Sequence, residues 1–81
     1  MSEVLLDKIR AKKKFARETF NKEYTPKEQR KNSILLQSIY TQIEVCEAMC
    51  CPIPEKTIKD WIVSKSMSKI RTEARSIKFA S

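Results

Sequence analysis

Thr25-Pro26-Lys27-Glu28 opens the stretch on which the fold turns, and Cys50-Cys51-Pro52 closes it: TPKEQRKNSILLQSIYTQIEVCEAMCCP, residues 25–52. The Thr25 hydroxyl can accept from amides of a first helical turn, Pro26 suits the first helical position, and Glu28 can reach back to form a capping box. From there no strong breaker occurs before Pro52, whose ring disfavours helical geometry at Cys51. The pattern predicts a second helix over about 26–50, with Leu36, Ile39, Tyr40, Ile43, Cys46 and Cys50 on one buried face. Opposite them runs a weaker apolar row of Ile34, Ser38, Thr41, Val45, Ala48 and Met49. A helix with two apolar faces wants two partners. One is the rest of the chain; the other is expected to be the same helix of a second copy, meeting it through Ile34, Thr41, Val45 and Met49 about a two-fold axis. The plainer alternative is that one chain wraps both faces.

Upstream, a first helix is expected over about 2–21, with Ser2 as N-cap and Glu3 and Asp7 near its positive end. Leu5, Ile9, Ala16 and Phe20 form a thin core stripe, flanked by Val4 and Phe15 and interrupted by Lys12. Downstream, Cys51-Pro52-Ile53-Pro54 reads as extended linker, and a short third helix over about 55–63 presents Ile58, Trp61 and Ile62. If it ran on, the apolar stripe would change sides, so a break near Ser64 to Ser68 is expected, with Ser66 or Ser68 capping a fourth helix over about 68–79. Its apolar row is Met67, Ile70, Ala74 and Ile77. The fold class is therefore all-α: one domain over 1–81, a small bundle of about four helices around a long second one. A chain of 81 residues buries a modest fraction of its surface, and the expectation of a homodimer follows from that as well.

Composition narrows the chemistry. Neither glycine nor histidine occurs among the 81 residues. Phosphate-cradling glycine loops and the G-x-S-x-G elbow are thereby excluded, and the commonest general base and zinc ligand are missing. Cys46, Cys50 and Cys51 invite a metal, but C-x-x-x-C-C fits no usual ligand spacing and supplies only three thiols, so no metal or cofactor is expected. Buried small hydrophobes are the simpler role for them. Asp60 and Glu55 are explained as solvated helix-surface acids, and no enzymatic activity is expected. The N-terminus lacks a secretory pattern and no apolar run is long enough to cross a bilayer, so a cytoplasmic protein without membrane association is expected. The first helix is basic and amphipathic, but Lys12 and the lack of a tryptophan argue against its lying on a membrane.

Charge points to a partner. Seventeen Lys and Arg against ten Asp and Glu leave a net charge of +7, attractive to phosphate polymers and acidic surfaces. Arg10, Lys13, Lys14 and Arg17 make one basic face of the first helix; Lys69, Arg71, Arg75 and Lys78 make another on the fourth. Such rows can track a phosphate backbone, while Phe15, Tyr24 and Phe79 are candidates to stack on unpaired bases. The expected function is non-catalytic RNA binding, with DNA a less favoured ligand, acting by sequestration or regulation. Abundant Lys and Ile suit an AT-rich gene of a virus, phage or bacterium, and antagonism of a host nuclease or ribonucleoprotein in the host cytoplasm is one form of that role. Two rivals come from other classes. One is an inhibitor or adaptor docking on an acidic protein through Trp61 and Tyr40. The other is a helix-turn-helix DNA regulator built from the last two helices, with Lys69, Arg71, Thr72, Arg75 and Ser76 facing a major groove.

Overall fold

Ser2 caps the first helix, its hydroxyl accepting from the Leu5 amide, and α1 runs over Glu3–Glu23. The computed structural model describes residues 2–80. Ile9, Ala16, Thr19 and Phe20 of α1 are buried, whereas Leu5 and Phe15 pack only partly against the core and Val4 is exposed. Lys12, which interrupts the stripe in the sequence, bonds to the carboxylate of Glu47 on a neighbouring helix. The interruption is a paired charge.

At Thr25 the capping box forms as expected, with Glu28 Oε1 accepting from the Thr25 amide at 3.1 Å and Thr25 Oγ1 accepting from the Glu28 amide at 3.3 Å. The helix it starts is shorter than the sequence predicts. α2 covers only Pro26–Lys31, and α3 resumes over Ser33–Ala48. Asn32 divides them at φ −111° and ψ 21°, its side-chain amide donating to the Glu28 carbonyl at 2.8 Å. An asparagine side chain that bonds nearby backbone offers the chain an alternative to the helical ladder. The buried stripe of α3 keeps Ile39, Ile43 and Cys46 of the expected face and adds Leu35, with Leu36 and Tyr40 at its margin. Cys50 does not belong to that stripe. It lies beyond the helix, exposed, with φ 59°.

The end of α3 is a Schellman turn: the Cys51 amide donates to the Cys46 carbonyl at 2.8 Å and the Cys50 amide to the Glu47 carbonyl at 3.0 Å. Glycine normally takes the left-handed position in this turn; in a chain without glycine Cys50 fills it. Cys51 and Ile53 then bury while Pro52 and Pro54 stay exposed, as an extended strap alternates. α4 follows over Glu55–Ser64 and buries Ile58, Trp61 and Ile62. Lys65 closes it in the left-handed region, φ 55°, and the Ser66 hydroxyl accepts from the Lys69 amide to start α5, Met67–Ala80.

The element order is α1 to α5, so the all-α bundle has five helical segments, the expected second helix being split in two. α1 packs on α3 and α4, and α5 packs on α3. Lys12 meets Glu47 while Lys13 meets Glu44, the crossing of numbers expected of antiparallel neighbours. Both sides of α3 are thus engaged within one chain. Ile34, Val45 and Met49 nevertheless remain exposed, as does Thr41. The common core joins Phe20, Ile39, Ile43, Ile53, Trp61, Ile70 and their neighbours from every long helix and the strap.

Candidate nucleic-acid interface

Arg10, Lys13, Lys14 and Arg17 recur at helical spacing, so one face of α1 carries all four. Together with Tyr40 of α3 they line a surface cleft of about 410 Å³. Tyr40 reaches this cleft because it stands on the α1 side of α3, next to Glu44. Lys13 is held between the two: its ammonium bonds the Glu44 carboxylate and lies 5.6 Å from the Tyr40 ring centroid. Arg10 approaches Asp7 at 3.7 Å and Lys14 approaches Glu18 at 4.0 Å, all four side chains largely exposed. Exposed pairs of this kind contribute about 0–1 kcal/mol and are screened by salt, so phosphate oxygens can replace the carboxylates at little cost. Arg17 is exposed, and no ion pair joins it to another described residue. The cations exceed the carboxylates they meet by one.

The second basic row is less uniform. Lys69 Nζ is 2.6 Å from Asp60 Oδ2, tying α5 to α4, and this hydrogen bond raises the lysine's pKa. Arg71 and Arg75 point outward, Arg75 with its guanidinium 5.9 Å from the Phe79 ring centroid. Lys78 is half-buried and acts electrostatically on Cys46: burial pushes the Cys46 thiol up, and Lys78 opposes the shift. Of the four expected cations on α5, two are presented to solvent without a carboxylate partner among the described residues. On the helical wheel of α3, Tyr40 and Glu44 face α1 while Ser38 and Gln42 face α5. Gln37, Thr41 and Ala48 occupy the solvent strip between. The two basic rows therefore flank this strip and do not merge into one patch.

The aromatic expectations divide. Tyr24 is buried, its hydroxyl donates to the Ile62 carbonyl at 2.5 Å, and its ring lies 4.5 Å from that of Phe20. Lys65 covers it at 4.7 Å, which leaves no face for a base. Burial pushes the Tyr24 phenol pKa up, with Glu28 and Glu23 adding to it. Phe15 is partly buried against the core, as a residue flanking the α1 stripe should be. Phe79 alone of the three is freely exposed. Trp61 is buried as well, its indole donating to Glu73 Oε2 at 3.2 Å, so it cannot anchor a protein partner at the surface. The residue missed as a wall of the basic cleft is Tyr40. Its signal was present in two acids, Glu44 and Glu47, spaced by three on an otherwise uncharged helix, which call for cations on the helix opposite.

Cys46 and Cys51 are buried and Cys50 is exposed, with the Cys51 thiol donating to the Met49 carbonyl at 3.3 Å. Among the described residues no three Cys, Asp or Glu side chains gather as metal ligands would, and no helix is long and apolar enough to cross a membrane. Comparison with protein-family models, with curated proteins and with solved structures finds no match to this chain.

Proposed function

We propose that the chain is a non-catalytic RNA-binding protein acting by sequestration or regulation, and that the α1 cleft holds the phosphate backbone. The observation that carries this reading is the convergence of Arg10, Lys13, Lys14 and Arg17 on one cleft walled by Tyr40. Their few carboxylate neighbours are mostly solvent-exposed and readily displaced. Contacts of this type give affinity rather than sequence choice, and they make binding fall steeply with salt. The AT-rich residue usage supports a viral or phage setting, in which the bound RNA would belong to a host nuclease or ribonucleoprotein.

The test is the triple variant R10A/K14A/R17A, measured against a labelled single-stranded RNA over a range of salt. Losing three phosphate contacts lowers the magnitude of the log–log salt slope by about 2, at about 0.7 per contact. Affinity at low salt falls by at least about tenfold, while helicity by circular dichroism is unchanged. An unaltered slope and affinity would remove α1 as the site.

One observation favours a second reading, a helix-turn-helix contact with DNA. Of the residues expected to face the groove, Arg71, Thr72, Arg75 and Ser76 are exposed on α5 while Lys69 pairs with Asp60, and Lys65 takes the left-handed turn position that glycine often fills. Duplex DNA competing better than single-stranded RNA, with sensitivity to Arg71→Ala and Arg75→Ala but not to the α1 triple variant, would select it.

A further inference from the structure

Cys46 and Cys51 stand at the two ends of the Schellman turn that closes α3. The Cys51 amide donates to the Cys46 carbonyl at 2.8 Å, and standard backbone bond lengths then hold the two Cα atoms within about 6.7 Å of each other. Disulfides span Cα separations of about 4.4–6.8 Å. Both side chains turn inward: Cys46 is fully buried on the core stripe and Cys51 is 6% exposed. Side chains at these two positions of a Schellman turn commonly meet. Here the Cys46 thiol senses its neighbour, for burial pushes its pKa up and Cys51 adds to the shift. Cys50 differs from both. It takes the left-handed position of the turn and is exposed. Its Cα is only about 3.8 Å from that of Cys51, closer than the usual disulfide span.

We propose that Cys46 and Cys51 form an oxidation site, closing to an intrachain disulfide with glutathione disulfide as oxidant and stapling the end of α3 to the strap that follows it. The inference is independent of the RNA-binding reading. Cys51, the outer thiol, becomes reachable when the helix end frays, an opening that does not require global unfolding. Its thiolate attacks one sulfur of glutathione disulfide and releases one glutathione. The Cys46 thiolate then attacks the Cys51 sulfur of the mixed disulfide, forming the Cys46–Cys51 bond and releasing the second glutathione. Two protein thiols thereby lose two protons and two electrons, and one glutathione disulfide becomes two glutathione thiols. The bond replaces the weak hydrogen bond of the Cys51 thiol to the Met49 carbonyl, 3.3 Å long. Bridges of this kind inside cells are usually transient and redox-sensing.

The experiment equilibrates the full chain with glutathione buffers of rising oxidised fraction, blocks remaining thiols with iodoacetamide and reads the intact mass. Wild type and Cys50→Ala each gain one intrachain bridge. Digestion after glutamate cuts at Glu47, between the two cysteines, and leaves the flanking peptides joined until a reductant is added. Cys46→Ala and Cys51→Ala gain no bridge and end as glutathione adducts, with circular dichroism confirming that both are folded. Because the turn positions the pair, the equilibrium constant for closure is about tenfold larger in the native chain than in concentrated urea, about 30 mV in potential. By linkage the bridged protein melts about 5 °C higher or more. Glutathione adducts without a bridge in wild type, or no oxidation at all, overturn the proposal. So does a bridge that Cys50→Ala abolishes, or one that closes no more readily in the native chain than in urea.

Discussion

Replacing Lys12 by Met tests whether the α1–α3 seam is held by a charge pair withdrawn from water. Glu47 is 5% exposed and Lys12 20%, so the substitution leaves a carboxylate in the interior with its cation gone. Breaking a buried pair on one side costs about 3–5 kcal/mol. Because Lys12 keeps some contact with solvent, the lower end, about 3 kcal/mol, applies. A chain of 81 residues has a total stability of about 4–12 kcal/mol, so the loss is at least a quarter of it. Thermal denaturation followed by circular dichroism should show Tm lower by about 12–24 °C, at about 4–8 °C per kcal/mol for a domain this small. The urea midpoint should fall by about 1–3 M. Replacing both partners, Lys12→Met with Glu47→Met, restores most of the stability, since an apolar pair leaves no uncompensated charge. Lys12 lies outside the basic cleft, so RNA affinity at a temperature where the single variant is folded changes by no more than about twofold. A single-variant loss below about 1 kcal/mol, the worth of an exposed pair, or a double variant no more stable than the single one, would refute this account of the seam.

Two further outcomes follow from the surface. Glu28 accepts from the Thr25 amide and from Lys65, which lowers its pKa from 4.5 to about 2; the folded value lies below the unfolded one, so its contribution is complete above about pH 4.5 and is lost as the pH falls toward 2. A carboxyl NMR titration of Glu28 centred near 4.5 would contradict the capping geometry, and Lys65→Met should move the midpoint upward. The exposed row Ile34, Thr41, Val45 and Met49 is proposed to join two copies of the chain. The protein mass by light scattering should be that of two chains, and V45E/M49E should be monomeric with undiminished RNA affinity. A monomeric mass for the wild type across the micromolar range removes the dimer.

What the sequence disclosed depended on how local each determinant is. The Thr25 box, Pro26 and the Pro52–Pro54 strap act within a turn or two, and the structure keeps them in place. Asn32 is equally local, but its effect is a competition between side chain and ladder, and composition alone does not say which side prevails. Past the break the spacing still holds, for Ile39, Ile43 and Cys46 bury as expected with Leu36 at the margin beside Leu35, and Cys50 falls outside the stripe because the helix ends at Ala48 in a left-handed turn. Lys12 illustrates the opposite case. It looked like a flaw because its partner Glu47 is 35 positions away, and only the antiparallel packing of α1 on α3 brings them together. Trp61 buries on the apolar face expected of it, which removes it from the adaptor reading, while Tyr24 is no stacking platform; each has a polar tip that reaches a fixed partner, Glu73 or Ile62, supplied by another element.

The same distinction runs through the site. Helical spacing alone places Arg10, Lys13, Lys14 and Arg17 on one face, so the basic row was legible before any fold was known. Tyr40, Gln42 and Arg71 become neighbours of a cleft or cavity only because α3 is sandwiched between α1 and α5. Cations set by local spacing supply attraction to any phosphate chain. Groups assembled by packing can instead discriminate, because each must lose water to act and must then find its complement. Gln42 is the residue at which that requirement is already visible: its side-chain oxygen is desolvated by the fold and has no donor among the described residues to restore what water supplied, so Gln42→Leu should not lower the melting temperature.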